Sequence, residues 1–307
     1  MASVVMARPA PGALSSDRAR SRRIVDRIAT IALWSAATTV VALLLLFIAY
    51  LFVQGYSSIS WHFLTGYPKS AEAGGGVGPQ IFNSFYILIL TLIFTLPIAV
   101  SAGVFLQEYA GPGRFRDLVQ FSAESLATVP SIVMGLFGLF VFVQLFHWHF
   151  TALGGALTLT LLNLPAMMRV TQESLAGVPS TYREASMGLG ATKWQTVLRA
   201  ILPSAIGPLT TGVVLVSGRI FGETAALIFT AGSSVSYGAS AYDFNPFHTA
   251  ETLAVHLYST QREALVPDAT QIANGSALVL LVMVLVFNVV ARVVGRQLTV
   301  RLTGKAS

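Results

Sequence analysis

Residues 28–53 read IATIALWSAATTVVALLLLFIAYLFV, a stretch that has no charged side chain and is rich in Leu, Val and Ile. A helix needs about 20 consecutive apolar residues to cross the hydrocarbon core of a bilayer, so this stretch is long enough to span one. Several Arg residues precede it, as in a signal peptide, but the apolar region of a signal peptide has only about 7–15 residues. The stretch is therefore predicted to be a membrane anchor that stays on the protein.

The composition of the whole chain also indicates a membrane protein. Of its 307 residues, 10% are charged and 54% are hydrophobic, and the mean hydropathy is +0.69. A soluble globular domain has about 25% charged residues, because its surface faces water. Cysteine is absent, which excludes a disulfide framework, a thiolate nucleophile and a Cys-ligated metal site.

Five further apolar runs predict five further transmembrane helices. They lie at 81–106, between 124 and 147, at 151–168, at 200–230 and at 272–291. Each spanning segment must satisfy its own backbone polar groups, which favours helices, and the strand-like alternation of an outer-membrane barrel is absent. The predicted fold is therefore all-α, a polytopic membrane protein with six transmembrane helices.

The positions of Lys and Arg predict the orientation in the membrane. With six spans both termini share one side, which collects sixteen Lys and Arg residues, whereas the opposite side has only Lys69 and Arg262. Lys and Arg concentrate in cytoplasmic segments, so both termini are predicted to be cytoplasmic. The pI of 9.8 then reflects topology, since no basic patch with interleaved aromatic residues indicates nucleic-acid binding.

The chain is predicted to form one transmembrane domain, residues 21–303, between a disordered cytoplasmic tail at 1–20 and a cytoplasmic tail at 304–307. The Gly-rich stretch 73–79 lacks the Lys-Ser/Thr of a phosphate-binding loop and is interpreted as a turn before the second span. The His, Glu and Asp residues of segment 231–271 do not have the spacing of a standard metal site, so no metal site is predicted.

Residues 178–203, between the fourth and fifth spans, read VPSTYREASMGLGATKWQTVLRAILP. Two residue pairs in this segment have the spacing of a capping box, Thr181 with Glu184 and Thr192 with Gln195. Gly190 between them supplies the backbone freedom that a turn needs. The pattern predicts a helical hairpin, which is compatible with a self-contained surface element, with a rigid docking element, or with both.

This hairpin resembles the coupling motif of binding-protein-dependent ABC importer permeases, Glu-Ala-Ala-x3-Gly-x9-Ile-x-Leu-Pro. The matching residues are Glu184, Ala185, Gly190, Leu202 and Pro203. The sequence departs from the motif at Ser186, where the motif has Ala, and at Ala200, where it has Ile. The resemblance implies a type I ABC importer permease fold, in which the matching residues and Ser186 belong to a cytoplasmic coupling helix that inserts into a groove of an ATPase subunit.

Four other stretches resemble the permeases of bacterial phosphate importers. They are SGRIFGETAAL at 217–227, VPSIVMGLFGL at 129–139, the pair Glu108-Tyr109, and LPAMMRVTQE at 164–173. The form of the first stretch is more similar to PstA-type than to PstC-type permeases, although Ala226 stands where many relatives have Pro. The resemblance covers roughly residues 25–300 and implies phosphate as the substrate and the bacterial cytoplasmic (inner) membrane as the location.

Two Arg–Glu pairs are predicted to lie on the substrate pathway. Arg219 and Glu223 are four residues apart and are expected to share one face of the fifth span. A charge at the bilayer centre costs roughly 2.5–3.5 kcal/mol on insertion scales and usually faces a cavity or a partner. We interpret Arg219 as an attractor of the oxyanion and Glu223 as a limit on how tightly it binds; a mutual salt bridge is the alternative.

Arg169 and Glu173 repeat this spacing at the cytoplasmic end of the fourth span. Solvent is close there, so a membrane-edge anchor or an inner gate is as good an interpretation as substrate contact. Glu124, before the third span, is interpreted as a charge favoured by a helix start and not as a ligand.

The resemblance also implies the partners. The chain has no Gly-x4-Gly-Lys-Ser/Thr loop, so it is expected to be a non-catalytic subunit without a bound cofactor. ATP with Mg would bind to two PstB-like ATPase subunits, and a PstS-like protein would deliver phosphate. A PstC-like permease would complete the pathway in the lipid bilayer, with a second copy of this chain as the alternative.

Two other functions remain open from the sequence. An importer of phosphonate, sulfate or molybdate is compatible with the same Arg–Glu pairs. A secondary transporter driven by an ion gradient is less favoured, because such transporters often have inverted repeats with broken helices and the sequence does not indicate them.

Overall fold

The computed structural model describes residues 16–69, 72–234, 241–263 and 266–303, and within these ranges every regular element is helical. In chain order the helices are α1 (Ser16–Gly55), α2 (Trp61–Thr65), α3 (Gly78–Val104), α4 (Arg114–Ala127), α5 (Ser131–Gly138), α6 (Ala152–Ala176), α7 (Ser180–Gly188), α8 (Lys193–Thr196), α9 (Leu202–Ser204), α10 (Ile206–Gly222), α11 (Ala225–Ile228), α12 (Leu253–Glu263) and α13 (Ala269–Thr303). Wider π-helical turns extend α3 (Phe105–Tyr109) and α5 (Leu139–Leu145) and join α8 to α9 (Val197–Ile201). The predicted all-α fold is confirmed.

Within the described residues, four helices and two bent helix pairs correspond to the six predicted transmembrane helices. The helices α1, α3, α6 and α13 are each long and apolar enough to cross a bilayer alone. Counting each bent pair as one span gives six: α4 with residues 131–145, bent by 99°, and residues 193–204 with α10, bent by 67°. We call the end of the helices that carries residues 178–203 the hairpin end, and the opposite end, with α2 and α12, the α12 end.

The chain forms two compact units, Met1–Val53 and Gln54–Ser307. In the first, nearly all side chains between residues 22 and 53 are exposed, as expected of an apolar helix whose solvent is lipid. The helix α1 begins at Ser16, inside the segment 1–20 that is predicted to be a tail; residues 1–15 and 304–307 lie outside the described residues.

The core of the second unit is the long contact between α3 and α6. Small and hydroxylated residues let these helices approach closely, as is usual between membrane helices. A Cβ at Gly103 would lie 2.6 Å from the Cβ of Thr171, so the backbones meet at this glycine. The hydroxyl of Thr95 donates to that of Thr160 at 3.3 Å, and both residues are buried. This contact fixes the position of the end of α3 relative to the segment that follows α6.

The predicted third span is bent near its start. The prediction of a continuous span from 124 is wrong, because α4 ends at Ala127 and the chain turns by 99° into α5. Pro130 explains the turn, since proline lacks an N–H and disfavours helical backbone at the preceding residue. Glu124 consequently lies in the last turn of α4, and its interpretation as a helix-start charge is wrong.

The fifth span is broken near its far end. The helix α10 ends at Gly222, and Glu223 has an extended backbone (φ −73°, ψ 122°) before α11 begins at Ala225. The sequence does not indicate this break as a break of the helix. The break also separates Glu223 from the helical face that carries Arg219.

The Gly-rich stretch forms a turn before α3, as predicted. Gly74 has a positive φ of 81°, and its N–H donates to the Asp268 carboxylate at 2.8 Å. At Gly78 a Cβ would collide with the Tyr242 hydroxyl and the Thr65 carbonyl oxygen, so only glycine fits. Burial, and to a smaller extent the neighbouring Tyr67, raises the pKa of the Tyr242 hydroxyl, which donates to the Thr65 carbonyl at 3.1 Å.

Candidate functional site

Arg219 lies in the last turn of α10, three residues before its end at Gly222. Its side chain is exposed, and among the described residues no carboxylate lies within ion-pair distance of it. Glu223 instead accepts a hydrogen bond at 3.3 Å from the backbone N–H of Ala226, at the start of α11. The prediction that Arg219 and Glu223 share one helical face is therefore wrong. The alternative, a salt bridge between the two side chains, is not observed. The guanidinium is left available for an anion.

Arg169 does pair with Glu173, on the exposed surface of α6. Its Nε donates to Oε1 of Glu173 at 3.0 Å, and the two side chains are 72% and 66% exposed. Exposed pairs contribute only about 0–1 kcal/mol, so this pair opens easily for another partner. The predicted spacing of four residues thus produces a contact here, in an unbroken helix.

The pair lines a cleft of about 440 Å³ between α4 and α6. Polar side chains of α4, of α6 and of the π-helical extension of α3 line this cleft: Gln107, Arg116, Gln120, Glu124, Arg169, Gln172 and Glu173. Two guanidinium groups and three amides supply hydrogen-bond donors, while two carboxylates balance the charge. The cleft therefore combines donors that can bind an anion with carboxylates that oppose it.

The two arginines lie at different depths. Arg219 is thirteen residues after Ile206 at the hairpin end of α10, and at 1.5 Å per residue this places it about 20 Å along the helix. Arg169 lies near the last turns of α6, which ends at Ala176 at the hairpin end. The two guanidinium groups therefore lie at different distances from the hairpin end and do not form one joint site.

Residues 178–203 form the predicted helical hairpin. Its turn is at Gly190 (φ +86°), between α7 and α8. The capping box at Thr192 and Gln195 is confirmed by both of its hydrogen bonds, at 2.9 and 3.3 Å. The capping box predicted for Thr181 is wrong, because α7 already begins at Ser180 after Pro179 and has no side-chain cap.

The hairpin presents its motif residues in two groups. Glu184, Ala185 and Gly190 are exposed, and next to them Leu189 is 90% exposed, which is unusual for a leucine without a partner. Leu202 and Pro203 are half-buried at the base of the hairpin, where Leu202 packs against a buried cluster of Leu175, Val178, Ile201 and Ala205. The hairpin thus has an exposed tip and an anchored base.

Ser186 has a structural role that the sequence does not reveal. Its Oγ is 2.9 Å from Oγ1 of Thr196, a hydrogen bond that joins the two arms of the hairpin. The departure from the Ala of the motif therefore adds a link between α7 and α8.

A second Arg–Glu pair near the hairpin was missed by sequence reasoning. Arg183, in α7, donates to Glu108, in the π-helical turn after α3, at 2.6 Å, and the two side chains are 22% and 7% exposed. The residues are 75 positions apart, so no local spacing indicates the contact. The only signal was that Glu108-Tyr109 belongs to the stretches that resemble phosphate importer permeases.

The charged residues of the 231–271 segment lie in separate contacts. Glu251 is buried and accepts hydrogen bonds from Gln80 at 2.9 Å and from Ser259 at 3.3 Å, with His256 Nδ1 3.2 Å away. His248 pairs with Asp243 at 2.7 Å. In the part of the chain that the structure describes, no three His, Asp or Glu residues are placed to hold a metal ion; the side chain of Glu263 lies outside that part.

Comparisons with known proteins agree with the fold. The family described as "Binding-protein-dependent transport system inner membrane component" matches residues 96–304. The chain is 42% identical over 292 residues to the probable ABC transporter permease protein YqgI of Bacillus subtilis (strain 168), covering 92% of this chain and 99% of that protein. It is 37% identical over 157 residues to the phosphate transport system permease protein PstA of Xylella fastidiosa (strain 9a5c), covering 51% of this chain and 55% of PstA.

A solved structure shows the same fold. A chain of the bacterial alginate ABC transporter, crystallised in complex with an alginate pentasaccharide-bound periplasmic protein, superposes with a TM-score of 0.63. The superposition covers 94% of this chain and 99% of that chain, at 17% sequence identity. At this identity the likeness supports the architecture and not the substrate.

Proposed function

The chain belongs to the binding-protein-dependent transport system inner membrane component family and is a non-catalytic permease subunit of an ABC importer, and on this premise we propose that its substrate is phosphate. The observation that carries the proposal is Arg219, an exposed guanidinium at the broken end of α10 without a carboxylate partner among the described residues. Similarity to PstA of Xylella fastidiosa supports phosphate, whereas the name of YqgI specifies no substrate.

Arg219 is suited to a passing phosphate for two reasons. The planar guanidinium fork matches the geometry of phosphate oxygens, and a charge within a span normally faces a cavity or a partner. Glu223 is close in sequence but is engaged with the N–H of Ala226. We assign Glu223 the role of holding the chain in the break that follows Arg219 and of limiting how tightly the anion is held, because transport requires binding weak enough for release.

Arg169 and Glu173 serve as the contact nearer the hairpin end. In the cleft between α4 and α6, Arg169 can exchange Glu173 for phosphate at little cost, since the pair is exposed. Arg116 faces the same cleft as a second donor. An anion released from Arg219 would meet this weaker set of contacts before it leaves the pathway.

The hairpin couples the permease to ATP hydrolysis in this proposal. Glu184, Ala185, Ser186 and Gly190 lie on or beside its exposed tip, while Leu202 and Pro203 anchor its base. The tip docks on a PstB-like ATPase, of which two copies bind ATP with Mg. A PstC-like permease completes the pathway, and a PstS-like protein delivers phosphate.

The topology follows from the same proposal. The hairpin end and both termini face the cytoplasm, as the distribution of Lys and Arg indicates. Residues 21–303 act as a single permease domain between the two tails, within the bacterial cytoplasmic membrane.

The test is ATP-dependent uptake of labelled phosphate into proteoliposomes. They contain this chain, its permease partner and the ATPase, with the binding protein outside, and sulfate and molybdate are offered in parallel. We expect Arg219→Gln to abolish most phosphate uptake and Arg219→Lys, which keeps the charge but loses the fork, to retain an intermediate rate. Arg262→Gln, a change of an exposed arginine in α12, is the matched control.

The outcomes test the role of Arg219 and the identity of the substrate independently. Normal phosphate uptake by Arg219→Gln in an assembled complex would remove Arg219 from the pathway. Uptake of sulfate or molybdate instead of phosphate by the intact complex would overturn the substrate and keep the importer.

A further inference from the structure

Arg183 connects the hairpin to two spans at once. Its guanidinium donates to both carboxylate oxygens of Glu108, at 2.6 Å from Nη2 and 3.2 Å from Nε, and Glu108 lies in the π-helical extension of α3. It also donates to the backbone carbonyl of Leu175 at 2.9 Å and to that of Val178 at 2.8 Å, at the end of α6. One side chain thus holds three segments: α7, α3 and the end of α6.

The geometry requires arginine and a carboxylate. Five N–H donors in a fixed fork allow Arg183 to bind a carboxylate and two carbonyls together, which a lysine ammonium cannot do in the same geometry. The side chain of Glu108 is only 7% exposed, so loss of Arg183 would leave a buried charge without its partner. The residues Phe105–Tyr109 form a π-helical turn, a feature often found at functional positions in helices.

The second arm of the hairpin reaches the same end of α3. The Lys193 ammonium lies 5.0 Å from the centre of the Tyr109 ring, a cation–π contact. At the base of the same arm, Ile201 and Ala205 are fully buried against Leu175 and Val178. Both arms are therefore fastened at their bases, whereas Leu189 at the tip is 90% exposed.

An element with a free tip and a fastened base transmits displacement from the tip to whatever the base holds. A packed and hydrogen-bonded contact has discrete arrangements and does not deform continuously. A displacement of the hairpin therefore moves the spans that its base contacts. Arg169–Glu173 cannot do this, because both of its members belong to α6.

We propose that the Arg183–Glu108 pair is the link that transmits the movement of the ATPase-docked hairpin to α3 and α6, and hence couples ATP hydrolysis to opening of the pathway. Both are positioning residues that act through the spans and do not contact phosphate. This inference rests on the proposed docking of the hairpin on an ATPase.

The test measures phosphate uptake and ATP hydrolysis in the same proteoliposomes. The coupling ratio is the amount of phosphate taken up per ATP hydrolysed. We expect Glu108→Gln and Arg183→Lys to keep ATP hydrolysis while the ratio falls by on the order of tenfold, within the 5–150-fold range typical of coupling between linked sites. The matched controls are Asp117→Asn and Arg199→Lys, exposed residues of α4 and of the second hairpin arm. Uptake and hydrolysis that fall together in proportion, or an unchanged ratio, would overturn the link.

A reversible cross-link keeps the proposal testable even if these variants assemble poorly. The chain has no cysteine, so Glu108→Cys and Arg183→Cys can be introduced together and joined by a short thiol-specific reagent that dithiothreitol removes, with cysteine-free partners. We expect the joined form to regain the coupling ratio that the reduced form has lost. A joined form as uncoupled as the reduced form would contradict the proposal, because the mechanical connection would then be present without its effect.

Failure of the proposed function gives a different result. If the intact complex imports another oxyanion, the phosphate assignment fails, and the same ratio measured with that anion still decides the role of Arg183 and Glu108. If the intact complex hydrolyses ATP without importing any oxyanion, both proposals fall together.

Discussion

Two Arg–Glu pairs lie near the hairpin end, and they differ in the properties that determine what an ion pair can do. Arg169 and Glu173 belong to one helix and are 72% and 66% exposed, whereas Arg183 and Glu108 belong to different segments and are 22% and 7% exposed. The first pair can open to admit an anion, and the second can hold segments together. The comparison shows that the pair recognisable from sequence spacing is the weak one, while the strong one is formed only by the fold.

Removing one member of each pair gives the largest expected difference. Arg183→Ala leaves Glu108 buried and unpaired, which costs about 3–5 kcal/mol for a buried pair, whereas Arg169→Ala costs about 0–1 kcal/mol for an exposed one. Thermal unfolding of the purified chain in detergent measures both, and we expect a clear fall in the melting temperature for Arg183→Ala alone. Equal falls in the melting temperature of the two variants would show that the buried pair does not stabilise the protein more than the exposed pair.

The position of the buried pair also depends on the contact between α3 and α6. A substitution in that contact is therefore a second test of the difference between the two pairs. In Gly103→Ala the new Cβ would lie 2.6 Å from the Cβ of Thr171 and 2.9 Å from the Met168 carbonyl oxygen. Overpacking of this kind costs about 1–3 kcal/mol. Gly218→Ala in α10 is the control, because a Cβ there meets no atom within 4 Å and alanine favours a helix.

The two glycine variants are compared by the same unfolding measurement and by the ratio of uptake to ATP hydrolysis. We expect Gly103→Ala to lower both the melting temperature and the ratio, since it displaces the end of α3 that carries Glu108. A normal ratio in a destabilised Gly103→Ala protein would mean that the link tolerates a shift of α3.

The smallest effect is expected within the hairpin. Ser186→Ala restores the residue of the motif but removes the hydrogen bond to Thr196 at 2.9 Å. A typical intramolecular hydrogen bond contributes about 0.5–1.5 kcal/mol, so the arms should loosen without separating. Hydrogen exchange of the α7 and α8 amides checks this, with Ser122→Ala in α4 as the control. Unchanged exchange in the hairpin would show that the base contacts alone hold its arms.

The spans and the hairpin could be predicted because they depend on local patterns. Run lengths of apolar residues indicate the spans, and the capping residues Thr192 and Gln195 with Gly190 indicate the turn between two helices. These signals act within a few residues of one another. They are therefore visible in a single sequence.

The breaks were harder to predict, although one of them had a signal. Pro130 stands inside an apolar run and forces the turn between α4 and α5, but hydropathy alone does not distinguish a bent span from a straight one. At Glu223 no proline is present, and the break is stabilised by a side-chain contact with the Ala226 N–H. The Arg183–Glu108 contact joins positions 75 residues apart, so it follows from helix packing and not from any sequence pattern.

The buried network at the α12 end has a consequence for the order in which the protein is made. Gln80, at the start of α3, is fully buried and donates to Glu251, which is 171 residues later in the chain. At about 5–20 residues per second, synthesis of the intervening chain takes roughly 10–30 s. During that interval the amide of Gln80 does not have its Glu251 partner, so water or another polar group has to satisfy it. The buried contact at this end of the second span therefore forms only after the segment that contains Glu251 has been synthesised.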